Sequence, residues 1–498
     1  MLTKLIDKLG DWNAQLFREL KGRLIGRRIV IAVGSSLALQ TLLLGGVTDG
    51  SCYTDVACRY KWIALFLMLT VLMSVLLFAG GAYLTIDDWA REERRGTLNF
   101  IRLSPQSSQK ILLGKLLGVP ALLYLGVGIA IPLHLIAAIA AGIPLGWVAS
   151  LYLLVSVGCA FCYTTSLLSA CLTHSKYLAH QAIAGSVVAT FCGSSYIGVA
   201  LIHFDWHSLT YEGLKDWKWF VWPVGSQLAL GVLWTVATLG VGTYWIWQGL
   251  NRRLRNPNAT LLRKSQSYGL TASFEIWLLG LFWPALQLNS YSDRPFEILF
   301  TVSVLTLGLF LPIIFAISPQ RQALLDWSRY LQGTKIHQPS KLKIRGSKRR
   351  DLVFGEKSPA PLAIAINLAI AFAIWLPWVL LYPMGAGAKM QAIGGLILNA
   401  NLILIYALIA QLFLLSPASK RQLLAVGGVT LAIVLPPTIL SAWSVKEMSS
   451  LWISYVFGSP WLILTEVSAL AIALSFLGQL AAMAGLHSIL AKALKFKS

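Results

Sequence analysis

The sequence predicts an all-α polytopic membrane protein with about twelve transmembrane helices. Of its 498 residues, 56% are hydrophobic and only 12% are charged, whereas a soluble domain carries roughly 25% charged residues. The mean hydropathy of +0.68 agrees with this reading. Apolar runs of about 20 residues cross the hydrocarbon layer, and lipid offers no hydrogen bonds to irregular backbone. A bundle of helices therefore accounts for most of the chain.

The apolar runs follow one another with short polar gaps between them. Because their predicted number is even, the chain is expected to return to the side on which it began. The predicted spans run near residues 29–46, 62–85, 114–141, 146–171, 179–203, 219–249, 273–290, 297–317, 360–381, 393–415, 423–443 and 457–488.

The net charge of +21 raises the question of nucleic-acid binding. Most of the 41 Lys and Arg residues, however, lie in alternate gaps between the spans, which is the pattern of the positive-inside rule. This pattern predicts a multi-pass protein of the cell inner (plasma) membrane with both termini in the cytoplasm. Membrane lipids with anionic headgroups are the expected partners of the basic gaps, and no nucleic-acid partner is predicted.

The predicted organisation has two membrane halves joined by basic loops. Leucines recur at helical spacing near the N-terminus, which favours an amphipathic helix in the membrane plane over a soluble helix. The segments are the amphipathic helix 1–28, a six-span domain 29–250 with the inner loop 86–113, a cytoplasmic basic loop 251–272, and a second, diverged membrane half 273–498. This half contains the basic loop 318–359, interpreted as a linker that touches lipid headgroups or a partner.

A short repeat indicates two six-helix halves. Ser104-Pro105-Gln106 follows the second span, and Ser318-Pro319-Gln320 follows the eighth, which is the second span of the second half. Leu415-Ser416-Pro417 follows the tenth span and does not fit this register. A fused pseudodimer and a homodimer both stay open.

The six cysteines do not suggest a disulfide framework. Cys52 and Cys58 share a predicted outer loop, and whether they form a disulfide is open. Cys159 and Cys162 form a C-x-x-C within an apolar run. Because redox and metal roles need accessible thiolates, helix packing is the expected role of this second pair.

The inner loop between the second and third spans carries the most information. The pair Asp87-Asp88 is expected to cap a short charged helix, because Asp is favoured at helix N-termini. Gly96 is expected to end that helix. The pair Ser104-Pro105 is expected to open the next helix, with Ser107 and Ser108 as alternative caps. The loop is therefore predicted to be a compact contact through which a partner transmits force.

This loop resembles the signature of type-two ABC exporter permeases, the membrane subunits of many drug, polysaccharide and lipid exporters. In that family a Glu precedes Gly-Thr-Leu, and a Leu-x-Pro-x-Ser stretch leads to Gly-Lys at the third span. The matching residues are Glu92 or Glu93, Gly96, Thr97, Leu98, Leu103, Pro105, Ser107, Gly114 and Lys115. The family also opens with an amphipathic elbow helix and has six spans, so the resemblance covers about residues 1–250.

The resemblance implies the permease subunit of an ATP-driven exporter, without a catalytic site of its own. A separate nucleotide-binding ABC ATPase subunit would bind ATP and Mg and dock on the loop, so no cofactor is expected in this chain. The sequence contains no G-x-x-x-x-G-K-[ST] phosphate loop. The expected coupling residues are Glu92, Glu93, Arg94 and Arg95, which would meet the ATPase, Gly96, Thr97 and Leu98, which would shape the loop, and Pro105 and Lys115.

Two features depart from the family pattern. Its simplest members have six spans, and the second half of this chain offers only a degenerate copy of the motif at 318–327. The basic segment Arg252-Arg253-Leu254-Arg255, after the sixth span, is either part of the same docking surface or a simple basic anchor.

Few ionisable residues lie within the predicted spans. A charge at the bilayer centre costs about 2.5–3.5 kcal/mol on insertion scales, so it usually marks function. His134 and Glu466 are the candidate intramembrane polar sites, and a position near the outer interface is the alternative for both. The alternative functions are an ion-coupled secondary carrier in which these two residues titrate, and a membrane assembly or scaffold protein that docks through 318–359.

Overall fold

The computed structural model describes residues 10–48, 55–173, 182–185, 187–189, 204–205, 210–211, 216–287, 294–337, 350–442 and 468–496. Their regular structure is helical, apart from isolated bridging at Trp219 and Trp222 and the antiparallel pairing of Phe204–Asp205 with Thr210–Tyr211. Within these ranges, 11 helical segments are long and apolar enough to cross a membrane. The predicted all-α polytopic fold is confirmed.

The helices are numbered in chain order. The first nine are α1 (Ala14–Arg23), α2 (Gly26–Thr48), α3 (Asp55–Val75), α4 (Gly81–Arg94), α5 (Thr97–Leu103), α6 (Ser108–Gly118), α7 (Ala121–Ala140), α8 (Leu145–Leu172) and α9 (Leu228–Arg255). The others are α10 (Lys264–Phe282), α11 (Arg294–Ile317), α12 (Arg321–His337), α13 (Pro361–Leu381), α14 (Ala386–Leu415), α15 (Arg421–Ala442) and α16 (Ala469–Phe496).

Eleven of the predicted spans correspond to described helices. The fifth, 179–203, lies outside the described residues apart from 182–185 and 187–189. The predicted third span, 114–141, is divided between α6 and α7 at Pro120, because proline has no amide hydrogen to continue the helical bonding.

The chain folds as two compact units. The first unit comprises Met1–Trp217 and Pro223–Pro257, and the second comprises Lys218–Trp222 and Asn258–Ser498. In the first unit, Leu65 and Phe66 of α3 are buried with Trp147 of α8 in an apolar core. Cys159 is buried in this core and Cys162 packs against it, as predicted for the C-x-x-C pair.

The second span is one helix that is longer than a bilayer requires. It runs from Arg59 to Arg94 through α3, a π-helical turn at Leu76–Gly80, and α4. Its 36 residues extend about 54 Å at 1.5 Å per residue, whereas the hydrocarbon layer is about 30 Å thick. The charged end of α4 therefore stands clear of the hydrocarbon.

Tyr163 of α8 packs directly on the π-helical turn. Its hydroxyl donates a hydrogen bond to the Leu77 carbonyl at 2.7 Å, which satisfies a backbone group at the point where the helical ladder is interrupted. A Cβ atom on Gly81 would lie 2.1 Å from the Tyr163 ring. Glycine is therefore the residue that fits at the start of α4.

The second unit has its own core and packs part of the predicted linker into it. Leu324 and Leu325 of α12 are buried with Leu408 and Leu490. The structure thus corrects the expectation of a linker at 318–359. Part of this segment is the helix α12, whose apolar face packs on other helices of the second unit. Further along, the ammonium of Lys264 donates to Leu352 O, Ser358 Oγ and Pro359 O at 2.9, 2.7 and 2.9 Å, which holds the segment preceding α13.

Candidate functional site

The acidic start of the inner loop is part of a long helix. Asp87 and Asp88 lie inside α4, so the predicted cap at these positions is wrong. Both carboxylates have cationic partners. Asp87 pairs with Arg91 one turn later in the same helix, and Asp88 pairs with Arg23 and Lys115 of other helices. The second span continues without interruption from Arg59 to Arg94, so no helix begins at these two residues and there is no N-terminus for them to cap.

Gly96, Thr97 and Leu98 form the turn after α4. Gly96 has a φ of 72°, a left-handed conformation that favours glycine, and its amide donates to Glu93 O at 3.1 Å. The Thr97 hydroxyl donates to Glu92 O at 3.2 Å. Leu98 is buried. Gly96 therefore ends the helix as predicted, and the next two residues cap it and anchor α5.

Helix α5 has one buried face and one exposed face. Leu98 and Ile101 are buried in a cluster that includes Leu254 of α9. On the other face, Phe100 and Leu103 are 78% and 84% exposed. This short helix between two spans is thus anchored through its buried face, while its other face exposes two large apolar side chains. We call this pair, Phe100 and Leu103, the α5 apolar face.

The segment after α5 corrects the prediction that Ser104-Pro105 opens the next helix, because Ser104 is the C-cap of α5 and α6 begins at Ser108. Ser104 precedes Pro105 and is extended, which is the conformation favoured before proline, and its hydroxyl donates to Ile101 O at 2.8 Å. Ser107 is the N-cap of α6 and accepts from the Lys110 amide at 3.3 Å. Of the alternative caps predicted, Ser107 is the one used.

Helix α1 packs closely on α6, where two glycines face it. A Cβ on Gly114 would lie 2.8 Å from the backbone nitrogen of Leu16, and one on Gly118 would lie 2.5 Å from Cβ of Glu19. Asn13 caps α1 by accepting from two of its amides, and its side chain donates to Lys110 O at 2.7 Å. The N-terminal helix is therefore tied to α6 over its length.

Lys115 lies between the two glycines and is only 1% exposed. Its Nζ atom lies 2.6 Å from Asp88 Oδ2, 2.5 Å from Glu92 Oε2 and 4.0 Å from Glu19 Oε1. Asp88 and Glu92 are four residues apart, so they share one face of α4. Three helices, α1, α4 and α6, therefore meet around one ammonium group.

Two arginines of α1 complete this arrangement. Arg18 pairs with Glu92 and, at 3.1 Å, with Glu19. Arg23 pairs with Asp88 and, at 3.3 Å, with Glu19. We call the six residues the ion-pair cluster: Arg18, Glu19, Arg23, Asp88, Glu92 and Lys115. Three carboxylates face three cations, so the ion-pair cluster is neutral as a whole.

Lys115 remains charged in this setting. Burial lowers the pKa of Lys115, but the charges of Asp88, Glu92 and Glu19 outweigh burial, so the pKa is raised overall. Oxygen atoms of the three carboxylates lie close enough together to hold a metal ion. The Lys115 ammonium supplies the positive charge at this place, which makes the cation part of the chain itself.

The structure separates the residues that the resemblance groups as ATPase contacts. Arg94 and Arg95 are exposed and Glu93 is half-buried, whereas Glu92 and Lys115 are buried in the ion-pair cluster. Pro105 is exposed. The motif thus divides into an outer part, available to a partner, and an inner part that joins α4 and α6 to α1.

The basic segment after the sixth span lies against the same region. Leu254 is buried beside Leu98, and Asn251 accepts a hydrogen bond from the Ser108 hydroxyl at the start of α6. The C-terminal end of α9 therefore supports α5 and α6. Arg255 is exposed next to this contact.

His134 is a buried residue of the first unit. It is 1% exposed, and its ring stacks on Phe66 with centroids 4.3 Å apart. Thr70 Oγ1 lies 2.8 Å from Nε2, and Tyr152 Oη lies 2.6 Å from Nδ1. Both ring nitrogens have partners, so His134 links α3, α7 and α8. Glu466 and Cys52 lie outside the described residues.

A buried carboxylate in the second unit was not among the predicted sites. Glu275 of α10 has no measurable exposure and accepts hydrogen bonds from Thr306 Oγ1 at 3.1 Å and Trp375 Nε1 at 2.8 Å. The sequence contained a signal for this site, because Glu275 is a charged residue within the predicted span 273–290. Glu19 was also missed, although Gly114 and Gly118 form a Gly-x-x-x-Gly pattern that is typical of close helix packing.

The fold and spans define a multi-pass α-helical membrane protein. Comparisons of the chain with protein-family models, with curated proteins and with solved structures find no match.

Proposed function

We propose that the chain is the permease subunit of an ATP-driven ABC exporter, powered by a separate nucleotide-binding ATPase subunit. The observation that carries this proposal is α5: a short helix between the second and third spans with an anchored face and the exposed α5 apolar face. Large apolar side chains that stand together on a polar loop are typical of a protein interface. The exposed Arg94 and Arg95 beside them would add charged contacts at its rim.

The contacts beneath α5 suggest how force would pass from the partner into the membrane. A push on α5 acts through the buried Leu98 and Ile101 on α4, which is continuous with the second span. The ion-pair cluster ties the same end of α4 to α1 and α6 through Lys115. On this proposal, ATP and Mg are bound by the partner, and closure of the partner moves α1, α4 and α6 together.

Co-purification tests the proposal. The tagged full chain is isolated in mild detergent from its own host, and its partners are identified by mass spectrometry. The double variant Phe100→Ala/Leu103→Ala should lose a stoichiometric ATPase that the parent retains. Since both side chains are largely exposed, the variant should keep the parent's elution profile and melting temperature.

A matched control removes two other exposed apolar side chains. Tyr330 and Phe354 are 62% and 56% exposed, and both lie in the predicted loop 318–359, on the same side as the inner loop. The variant Tyr330→Ala/Phe354→Ala should retain the ATPase. An ATPase that stays bound to both double variants, or a parent that brings down no ATPase even after crosslinking, would refute docking through α5.

Glu275 favours the ion-coupled secondary carrier as a second candidate function. A carrier driven by an ion gradient usually needs a buried ionisable residue within its spans, and Glu275 in α10 is such a residue. Transport in reconstituted vesicles separates the two candidates. A carrier works with an ion gradient and no ATPase, whereas the exporter needs ATP and its partner subunit.

A further inference from the structure

We propose that the second unit holds a binding site for an organic ammonium group, in the pocket beside Glu275. This inference goes beyond the proposed permease function by naming a class of ligand. It concerns equilibrium binding to the chain alone, so it does not depend on the ATPase.

The first observation is a carboxylate that lacks a cation. The groups that donate to Glu275, the Thr306 hydroxyl and the Trp375 indole, are both neutral. None of the described ion pairs of the second unit, such as Arg263–Glu356 and Arg329–Asp326, includes Glu275. A carboxylate inside a membrane span is costly without a positive partner, and such residues usually mark a binding site or an ion path. Among the described residues no cation pairs with Glu275, so a positively charged group of a ligand would complete the site.

The second observation is a pocket on the other side of the two donors. Thr306 and Trp375, which hold Glu275, also line this pocket, so the carboxylate stands directly behind its wall. The cavity has a volume of about 30 Å³, which is room for one group of the size of water or ammonium. Its remaining walls are largely apolar and come from α11, α13 and α14.

The third observation is an unused acceptor in the same pocket. Ser303 is 5% exposed, and its hydroxyl has no hydrogen-bond partner among the described residues. Asn399 offers a further polar group to the pocket. An ammonium donates up to three hydrogen bonds and accepts none, so it suits a pocket that offers the free Ser303 hydroxyl oxygen and has the Glu275 carboxylate behind its wall.

Aromatic rings favour the same ligand over a neutral one. Phe372 and Trp375 line the pocket, and cations are attracted to the faces of such rings. Because the Trp375 indole donates its N–H to Glu275, electron density shifts toward the ring and strengthens this attraction. The pocket is open on one side, so the ammonium would fill the cavity and the hydrocarbon part would extend out through the opening along apolar side chains. The ligand class is an amine with an attached apolar chain.

Equilibrium binding of radiolabelled hexylammonium to the purified full chain in lipid nanodiscs tests the proposal, with 1-hexanol as the neutral probe of similar size. We expect saturable binding that prefers hexylammonium over hexanol at least tenfold. Glu275→Gln keeps the shape and an acceptor oxygen, and it should remove this preference. Ser303→Ala leaves Glu275 untouched and should weaken hexylammonium binding several-fold.

Glu297→Gln is the matched control, because it removes an exposed carboxylate from α11 and should leave both affinities within twofold of the parent. Three results would overturn the proposal. The first is the absence of saturable binding by the folded chain, which would mean that the cavity holds only water. The second is equal binding of the amine and the alcohol, and the third is an unchanged preference in both the Glu275→Gln and the Ser303→Ala variants. An exporter without this site would still retain its ATPase, so the two proposals fail separately.

Discussion

Replacing Lys115 by Met removes the ammonium at the centre of the ion-pair cluster while it keeps the length of the side chain. With an effective dielectric constant of about 20, a unit charge pair at 2.6 Å attracts by about 6 kcal/mol before desolvation is counted, and Lys115 has two such neighbours, Asp88 and Glu92. The remaining arginines and the avoided burial of the ammonium offset part of this loss. Breaking a buried ion pair by removing one partner usually costs about 3–5 kcal/mol, which is the destabilisation we expect.

The assay is SDS-induced unfolding of the full chain in mixed micelles. The unfolded fraction at each SDS concentration is measured by limited proteolysis at sites within the first unit. Asp88→Asn alone should also destabilise the chain. The double variant Lys115→Met/Asp88→Asn restores neutrality, because two carboxylates then face two arginines, so its cost should fall below the sum of the single costs by about 1–3 kcal/mol.

Lys110→Met is the matched control, since it removes an exposed lysine from the same helix and should change the free energy of unfolding by no more than about 0.5 kcal/mol. If Lys115→Met behaves like this control, or if the double variant shows the plain sum of the single costs, the ion-pair cluster does not hold the three helices together as we infer.

Three further predictions follow from the same region. Gly114→Ala places a Cβ against the Leu16 backbone and should cost about 1–3 kcal/mol, seen as faster proteolysis after α1, whereas Gly22→Ala in α1 meets open space and should stabilise by about 0.5–1 kcal/mol. Gly96→Ala forces a left-handed alanine and should cost about 1–2 kcal/mol in the same SDS titration; an unchanged midpoint would contradict the turn described here. Because the folded-state pKa of Lys115 is raised, its stabilisation is complete below the usual value of 10.5 and is lost as the pH rises through the folded-state value. The difference between the parent and Lys115→Met should thus be constant from pH 7 to about 9 and shrink above about 10.5; a steady decline between pH 7 and 9 would contradict this assignment.

The sequence was sufficient for the eleven described spans and for the turn after α4, because both depend on local rules. Apolar length defines a span, and Gly96 at a helix end needs no distant partner. The run at Asp87-Asp88 was misread for the opposite reason. Two acidic residues in a row favour a cap only where a helix begins, and here the second span continues through them to Arg94. Asp88 lies within this helix, and its partners Arg23 and Lys115 are far away in sequence.

The two missed carboxylates show different limits. Glu19 stands among the basic residues of an amphipathic helix, and its burial depends on the approach of α6 at Gly118, which is a tertiary event. Glu275 was visible in the sequence as a charge within a predicted span. What sequence could not supply was its surroundings, because Thr306 and Trp375 come from other helices.

The π-helical turn at Leu76–Gly80 takes up one extra residue in the second span. A single wider turn absorbs that residue locally, so α3 and α4 keep nearly the relative phase of an uninterrupted helix. A deletion in the regular part of the span has the opposite effect, because each residue advances an α-helix by about 100°. Removing Ala82 alone would rotate Asp88 and Glu92 away from Lys115, with no charged residue altered. The pairing of this span with its neighbours is therefore encoded in the number of residues that follow the turn, whereas the turn itself lets the helix change length without changing the face that it presents.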